Sequence, residues 1–252
     1  MIQHSKWKTF VFIAVLTSLV FSIFLNLFLY SSLKRYYTLL YTVELDPLGL
    51  SYFQNEPDQS NIDETSSKVV LFGDSRAAQW PNPHLEEFTF VNRGIGNQTS
   101  AQVANRFNEH VKPIQPDIVV LQVGINDLKT IPLFPGREQK IISNCEANIE
   151  KIVQDSLETG STVILTTIFP AGQIPLHRRL VWSNEISIAI EEVNHFIRNL
   201  EQDQVIIFDA AAILLDTNGQ MRQEYGFDEL HLNEAGYEAL NLELVKILNS
   251  LE

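Results

Sequence analysis

The sequence predicts an α/β domain, a parallel sheet of about five strands covered on both faces by helices, preceded by one N-terminal transmembrane helix. Three observations predict it. Short apolar runs without polar alternation recur along the chain, with helical periodicity between them. Clusters of polar residues and glycine follow the ends of those runs. The stretch from Thr9 to Leu33 carries no charged residue at all. Continuous apolar runs are the signature of strands buried on both faces. Strand alternating with helix implies right-handed crossovers, so the strand carboxyl ends share one edge.

Composition sets the bounds. The 252 residues, 45% hydrophobic, suffice for a membrane segment and one α/β domain with a sizeable core. A formal net charge of -13 argues against a nucleic-acid surface, which needs clustered Lys and Arg. The single Cys, Cys145, excludes an intramolecular disulfide and a cysteine metal cage. No metal or other cofactor is expected.

Residues 1–33 read as a membrane anchor. Lys6 and Lys8 precede an apolar centre from Phe10 to Tyr30, and about 20 such residues suffice to cross a bilayer. Lys34-Arg35 and Tyr36-Tyr37 mark the far interface, where aromatic residues gather. A cleaved signal peptide would need a shorter apolar region and a small-x-small site, and none stands near Leu27 to Leu33. The positive-inside count is close to a tie. The orientation read here is amino terminus inside, with the globular domain on the extracytoplasmic side. Residues 34–67 read as a linker that turns polar and acidic through Gln54 to Asn61.

The domain is expected over residues 68–252. Its strands are Val69–Phe72, Phe88–Val91, Ile118–Val123, Val163–Thr167 and Val205–Phe208. Helices are expected over about Ser100–Val111, Ile141–Glu158, Glu185–Leu200 and Glu234–Leu248, the last capped by Asn233.

The first strand ends in Gly73-Asp74-Ser75-Arg76. Glycine permits a sharp turn, and the Ser75 hydroxyl then stands at the sheet edge where open α/β folds bind ligands. Alternatively, Asp74-Ser75 merely caps a helix. Three further clusters give the hydroxyl chemical company: Asn92 to Thr99 after the second strand, Gly124-Ile125-Asn126-Asp127 after the third, and Asp228-Glu229-Leu230-His231 after the fifth. His231 can take the Ser75 proton, and Asp228 can hold its imidazole tautomer. The Asn126 amide can donate to an oxyanion, as can the backbone N–H of Ser75.

These four blocks, in this order, resemble the SGNH hydrolase superfamily, the GDSL esterases and lipases, and the match covers the domain from Lys68 onward. The resemblance implies a flavodoxin-like three-layer α/β/α sandwich and metal-free serine ester hydrolysis. It makes Ser75 the nucleophile, His231 the base and Asp228 its orienting acid. It gives the oxyanion hole to Ser75, Asn126 and the second-block loop. One departure stands in that loop. The family's usual glycine is replaced by Asn97, although a shift of one residue would put Gly96 in the role. Arg76 also departs, being larger and charged. It reads as a helix-end cation or as a contact to a polar or anionic part of the substrate.

Other features have plainer readings. Gly94-Ile95-Gly96 lacks the third glycine of a dinucleotide fingerprint. Asn97-Gln98-Thr99 is formally a glycosylation sequon, but a glycan there would block the oxyanion hole. His84, His110, His177 and His195 show no ligand spacing. Asp74 and Asp127 read as loop-securing residues. The loops Lys129 to Arg137 and Phe169 to Trp182 mix apolar side chains with arginine. That mix fits an O-acetyl or short acyl ester of a sugar, or a lipid ester. The expectation is therefore a membrane-anchored carboxylic ester hydrolase with an acyl-enzyme on Ser75. Two rivals are an acyltransferase to a glycan acceptor using the same triad and a catalytically inactive binding module.

Overall fold

A computed structural model describes residues 2–54 and 66–251. The chain divides into two units, Met1–Pro47 and Leu48–Glu252. The first is a single helix, α1 (Ile2–Leu45). Within it Lys6–Leu45 is long and apolar enough to cross a membrane. Polar side chains along it bond back to the preceding turn, as Thr17 Oγ1 does to the Ile13 carbonyl at 2.8 Å. The helix does not stop at residue 33. Lys34 and Arg35 are followed by Tyr, Leu and Val, which continue a helix, and no Gly or Pro intervenes before Pro47. The expected linker is therefore helical up to Leu45, and its next residues, from Leu48, fold with the second unit. Its acidic part, residues 55–65, lies outside the described residues.

The second unit contains a five-stranded sheet: β1 (Ser67–Gly73), β2 (Phe88–Gly94), β3 (Ile118–Gln122), β4 (Thr162–Thr166) and β5 (Val205–Phe208). The order is β2-β1-β3-β4-β5 and every neighbouring pair is parallel. This is the doubly wound order of flavodoxin-like folds, with its switch point between β1 and β3.

Side-chain alternation along the strands feeds two cores. Val70, Phe72, Val119, Leu121, Val163 and Leu165 face one side. There they meet α3 (Ser100–Asn105), α4 (Phe107–His110), α6 (Glu138–Glu158) and α7 (Asn184–Arg198). Val69, Leu71, Val120 and Ile164 face the other side, against α8 (Ala210–Leu214), α9 (Glu234–Asn249) and Trp80. The single helix expected over Ser100–Val111 is broken at Arg106, whose backbone leaves helical geometry at φ -104° and ψ 5°. Asn233 caps α9 as expected, accepting from the Gly236 N–H.

β1 can end where it does because of Gly73. Its φ is +151°, and a Cβ there would lie 1.8 Å from the Gln122 carbonyl oxygen. That carbonyl accepts the Asp74 N–H at 3.2 Å, which locks the turn onto β3. Gly73→Ala should therefore cost about 3 kcal/mol or more, or prevent folding. Thermal melts followed by circular dichroism check this; a melt like that of wild type refutes it.

Candidate active site

Ser75 opens a four-residue helix, α2 (Ser75–Ala78), capped by Asp74. Asp74 Oδ1 accepts the Arg76 N–H at 2.9 Å. The turn thus caps a helix and also presents the Ser75 hydroxyl at the carboxyl edge of the sheet. That hydroxyl lies 3.0 Å from His231 Nε2. His231 Nδ1 lies 2.9 Å from Asp228 Oδ2 and 3.0 Å from Oδ1. An imidazole donating from Nδ1 to the carboxylate leaves Nε2 free to accept the serine proton.

Asp228 and His231 share a tight turn. Asp228 Oδ1 also accepts the backbone N–H of Leu230 and of His231, each at 2.7 Å. Burial opposes ionisation of Asp228, but the bonds from His231 and these two N–H groups outweigh it and hold the carboxyl below its usual range.

Asn126 stands in the short helix α5 (Ile125–Leu128), directly after β3 and Gly124. Its amide is held from both ends. Nδ2 donates to the Gln98 carbonyl at 2.9 Å, and Oδ1 accepts from Lys129 Nζ at 2.5 Å. Gln98 takes one of the two Nδ2 hydrogens, so the other remains for a ligand. Burial holds the Lys129 ammonium below its ordinary range, against the opposing pull of Asp74.

The second-block loop runs past the same point. Asn97 adopts φ 65°, left-handed backbone that Asn tolerates better than most residues. A Cβ on Gly96 would lie 4.0 Å from that of Ser75. Among the described residues, neither the Ser75 nor the Asn97 N–H enters a backbone hydrogen bond outside regular elements. Asp127 does secure a loop: its carboxylate accepts from the N–H and hydroxyl of Ser100 at 2.8 and 2.7 Å.

Arg76 corrects an expectation. It is fully buried, so it offers no surface to a substrate. Its Nε donates to the Leu230 carbonyl at 2.8 Å and its Nη1 to the Phe169 carbonyl at 2.9 Å. The guanidinium lies 5.0 Å from the Phe169 ring centroid. It is an internal tie to the residue preceding His231. Burial lowers its pKa to about 10, against the pull of Asp74, so it stays a cation at neutral pH.

Gln98, Arg106 and Lys129 were not singled out as site residues. Arg106, also fully buried, donates from Nε to Gln98 Oε1 at 2.5 Å and from Nη2 to the Gly73 carbonyl at 2.8 Å. Gln98 lies inside one of the polar blocks, whereas Arg106 and Lys129 lie outside all of them. No short-range pattern distinguishes a buried arginine from a surface one.

The sequence profile of the GDSL-like Lipase/Acylhydrolase family matches residues 60–239. Among solved structures, the chain is similar to a GDSL-like lipase from Bacteroides thetaiotaomicron. The two are 20% identical, the alignment covers 81% of this chain and 99% of that one, and the TM-score is 0.63. It is similar also to a lipase/acylhydrolase from Enterococcus faecalis, at 22% identity, 73% and 96% coverage and TM-score 0.55. An acetyl xylan esterase aligns at 23% identity, with 71% and 98% coverage and TM-score 0.56. At these identities the likeness is one of fold. Comparison with the curated proteins finds no match.

Asp74 gives the site a pH signature. Burial pushes its carboxyl up from 3.8 to about 6, against the pull of Arg76. The folded state therefore binds more protons than the unfolded state between about pH 4 and 6. Stability from this group is present at the acid end and declines by about 3 kcal/mol as pH rises through that window. Asp74→Asn should lack the decline. Denaturant unfolding of both proteins at pH 4 to 7 checks it, and parallel curves refute it.

Proposed function

The chain belongs to the GDSL-like lipase/acylhydrolase family and is a carboxylic ester hydrolase, and from that premise we propose that it works through an acyl-enzyme on Ser75. The observation that carries the reading is the 3.0 Å approach of Ser75 Oγ to His231 Nε2, across 156 positions of sequence, with Asp228 behind the imidazole. Ser75 attacks the ester carbonyl while His231 takes its proton. The oxyanion that forms meets the free Nδ2–H of Asn126 and the backbone N–H groups of Ser75 and Asn97. His231 then returns the proton to the departing alcohol. A water molecule, deprotonated by the same imidazole, attacks the acyl-enzyme and releases the acid.

The Asn126 amide is suited to this because both of its ends are fixed before substrate arrives. Preorganised donors stabilise developing charge without reorganising during the reaction. Lys129, bonded to Oδ1, draws electron density from the amide and strengthens Nδ2 as a donor.

The substrate we assign is a short acyl ester of a polar or anionic alcohol, such as a sugar or a lipid headgroup. Glu229, next to Asp228 and nearly buried, pairs with Arg178 Nε at 2.9 Å. Leu176 and Phe227 stand exposed on the loops that carry Arg178 and Asp228. The mix supplies both an apolar and a polar contact. We assign α1 as an uncleaved single-pass anchor that holds the enzyme at a membrane on the extracytoplasmic side. Its support is a helix long and apolar enough to cross a membrane, with no charged residue from Thr9 to Leu33.

Ser75→Ala should lower hydrolysis of p-nitrophenyl acetate by about 10⁴–10⁶. Asn126→Ala should cost about 10²–10³. Equal rates for wild type and Ser75→Ala refute the mechanism. Lys129→Met should lower kcat about tenfold with KM unchanged, because it weakens a donor used mainly in the transition state. A change confined to KM would place Lys129 on the substrate instead.

A further inference from the structure

Residues 48–54 belong to the second unit and pack against the second-block loop and α4. Gly49 makes the turn that allows it, at φ +71°, and a Cβ there would sit 3.0 Å from Gln98 Nε2. The Leu48 carbonyl accepts from Gln98 Nε2 at 2.7 Å. The Leu50 carbonyl lies 3.3 Å from His110 Nε2. Phe53 fills the remaining gap. Its ring centroid lies 4.4 Å from the Arg93 guanidinium carbon and 5.0 Å from the His110 ring, edge to face.

Gln98, His110 and Arg93 are buried and polar, and the first two lead inward through Arg106. His110 Nδ1 accepts from Arg106 Nη1 at 3.3 Å, which fixes a neutral imidazole donating from Nε2 to Leu50. Burial, the largest influence, lowers the His110 pKa and favours that neutral form. Arg106 holds Gln98 Oε1 and the Gly73 carbonyl, two residues before Ser75. The Gln98 carbonyl takes the Asn126 amide. Gln98 also follows Asn97, whose left-handed backbone costs about 1 kcal/mol and needs outside support to persist.

We propose that the segment Leu48–Phe53 is a positioning clamp for the oxyanion side of the active site, with Phe53 and His110 as its positioning residues. Neither touches the reacting atoms. They act through Gln98 and Arg106 on the aim of the Asn126 amide and the Asn97 N–H. The proposal rests on the reading of that site as a serine esterase. Because the donors it aims serve the charge of the transition state, loosening the clamp lowers kcat and leaves KM alone.

The test uses the full chain in detergent micelles with p-nitrophenyl acetate. Phe53→Ala should lower kcat about five- to thirtyfold, a fraction of the loss of a whole donor, with KM within about twofold. Phe53→Tyr, which keeps the ring contacts, should retain wild-type kcat. In an Asn126→Ala background, Phe53→Ala should cost clearly less than it does alone, the remainder acting through the Asn97 N–H, since residues acting through one another are not additive. A wild-type kcat for Phe53→Ala overturns the clamp. So does a loss that multiplies in full with Asn126→Ala. Should Phe53→Ala not fold, Phe53→Leu is read by the same criteria. Ser75→Ala separates the two levels: if it stays active, the esterase reading fails, and if it is inactive while Phe53→Ala matches wild type, the clamp alone fails.

Discussion

The arrangement depends on a buried cation. Ser75 and His231 lie 156 positions apart, and their neighbours Arg76 and Leu230 are joined by a 2.8 Å bond from guanidinium to carbonyl. The same guanidinium holds the Phe169 carbonyl just past β4, and the Arg76 carbonyl accepts the Tyr237 hydroxyl from α9 at 2.9 Å. Four segments are pinned at one point. Taking a cation fully out of water costs several kcal/mol, and it is tolerable only with partners in good geometry. Here two carbonyls and the Phe169 ring supply them, and the Asp74 carboxyl adds coulombic attraction, while Nη2 has no hydrogen-bond partner among the described residues. A neutral side chain could fill the space but could not tie the loop before His231 to the turn that carries Ser75.

Arg106 is the counterpart on the other core. It reaches the Gly73 carbonyl, so the turn at the end of β1 is gripped by one arginine before Ser75 and built around another after it. The two cations serve different halves of the site: Arg76 serves the His231 loop, and Arg106 serves Gln98 and through it Asn126. Asp74 lies between them electrostatically and opposes the burial penalty of each. The carboxylate that caps α2 thus also offsets part of the charge that burial would otherwise leave uncompensated.

The sheet was legible because strands buried on both faces leave an unmistakable trace, as in Val69 to Phe72 and Ile118 to Leu121. The site was legible because glycine, serine, asparagine and histidine blocks recur just past those strands. What escaped was long-range in origin. Arg76 reads as a surface or helix-end cation or as a substrate contact, and only the fold shows it enclosed by α9 and the residues after β4. The helix from Ser100 shows unbroken periodicity, yet it kinks at Arg106 so that this side chain can turn inward to Gly73. Residues 34–45 have a mixed composition that suits a linker, but helix continuity is decided by the absence of breakers rather than by the charges of Lys34, Arg35 and Glu44.

The two halves of the proposed catalytic set rest on unequal supports, and this bears on what can vary. Ser75 and Asn126 stand directly on strand ends, in turns fixed by β1 and β3. Asp228 and His231 stand on an irregular stretch between α8 and α9, secured by the Gly226–Leu232 bridge, the Glu229 carbonyl on the Gly172 N–H, and Arg76. A parallel sheet cannot shift one strand end without disturbing its neighbours, so the donors proposed for the oxyanion are stiffly held. The side chains of Leu176 and Phe227 are exposed and carry no such constraint, although their backbone neighbours do. Substrate choice can therefore be rewritten on those two side chains while the distance from serine to imidazole stays set by one buried guanidinium.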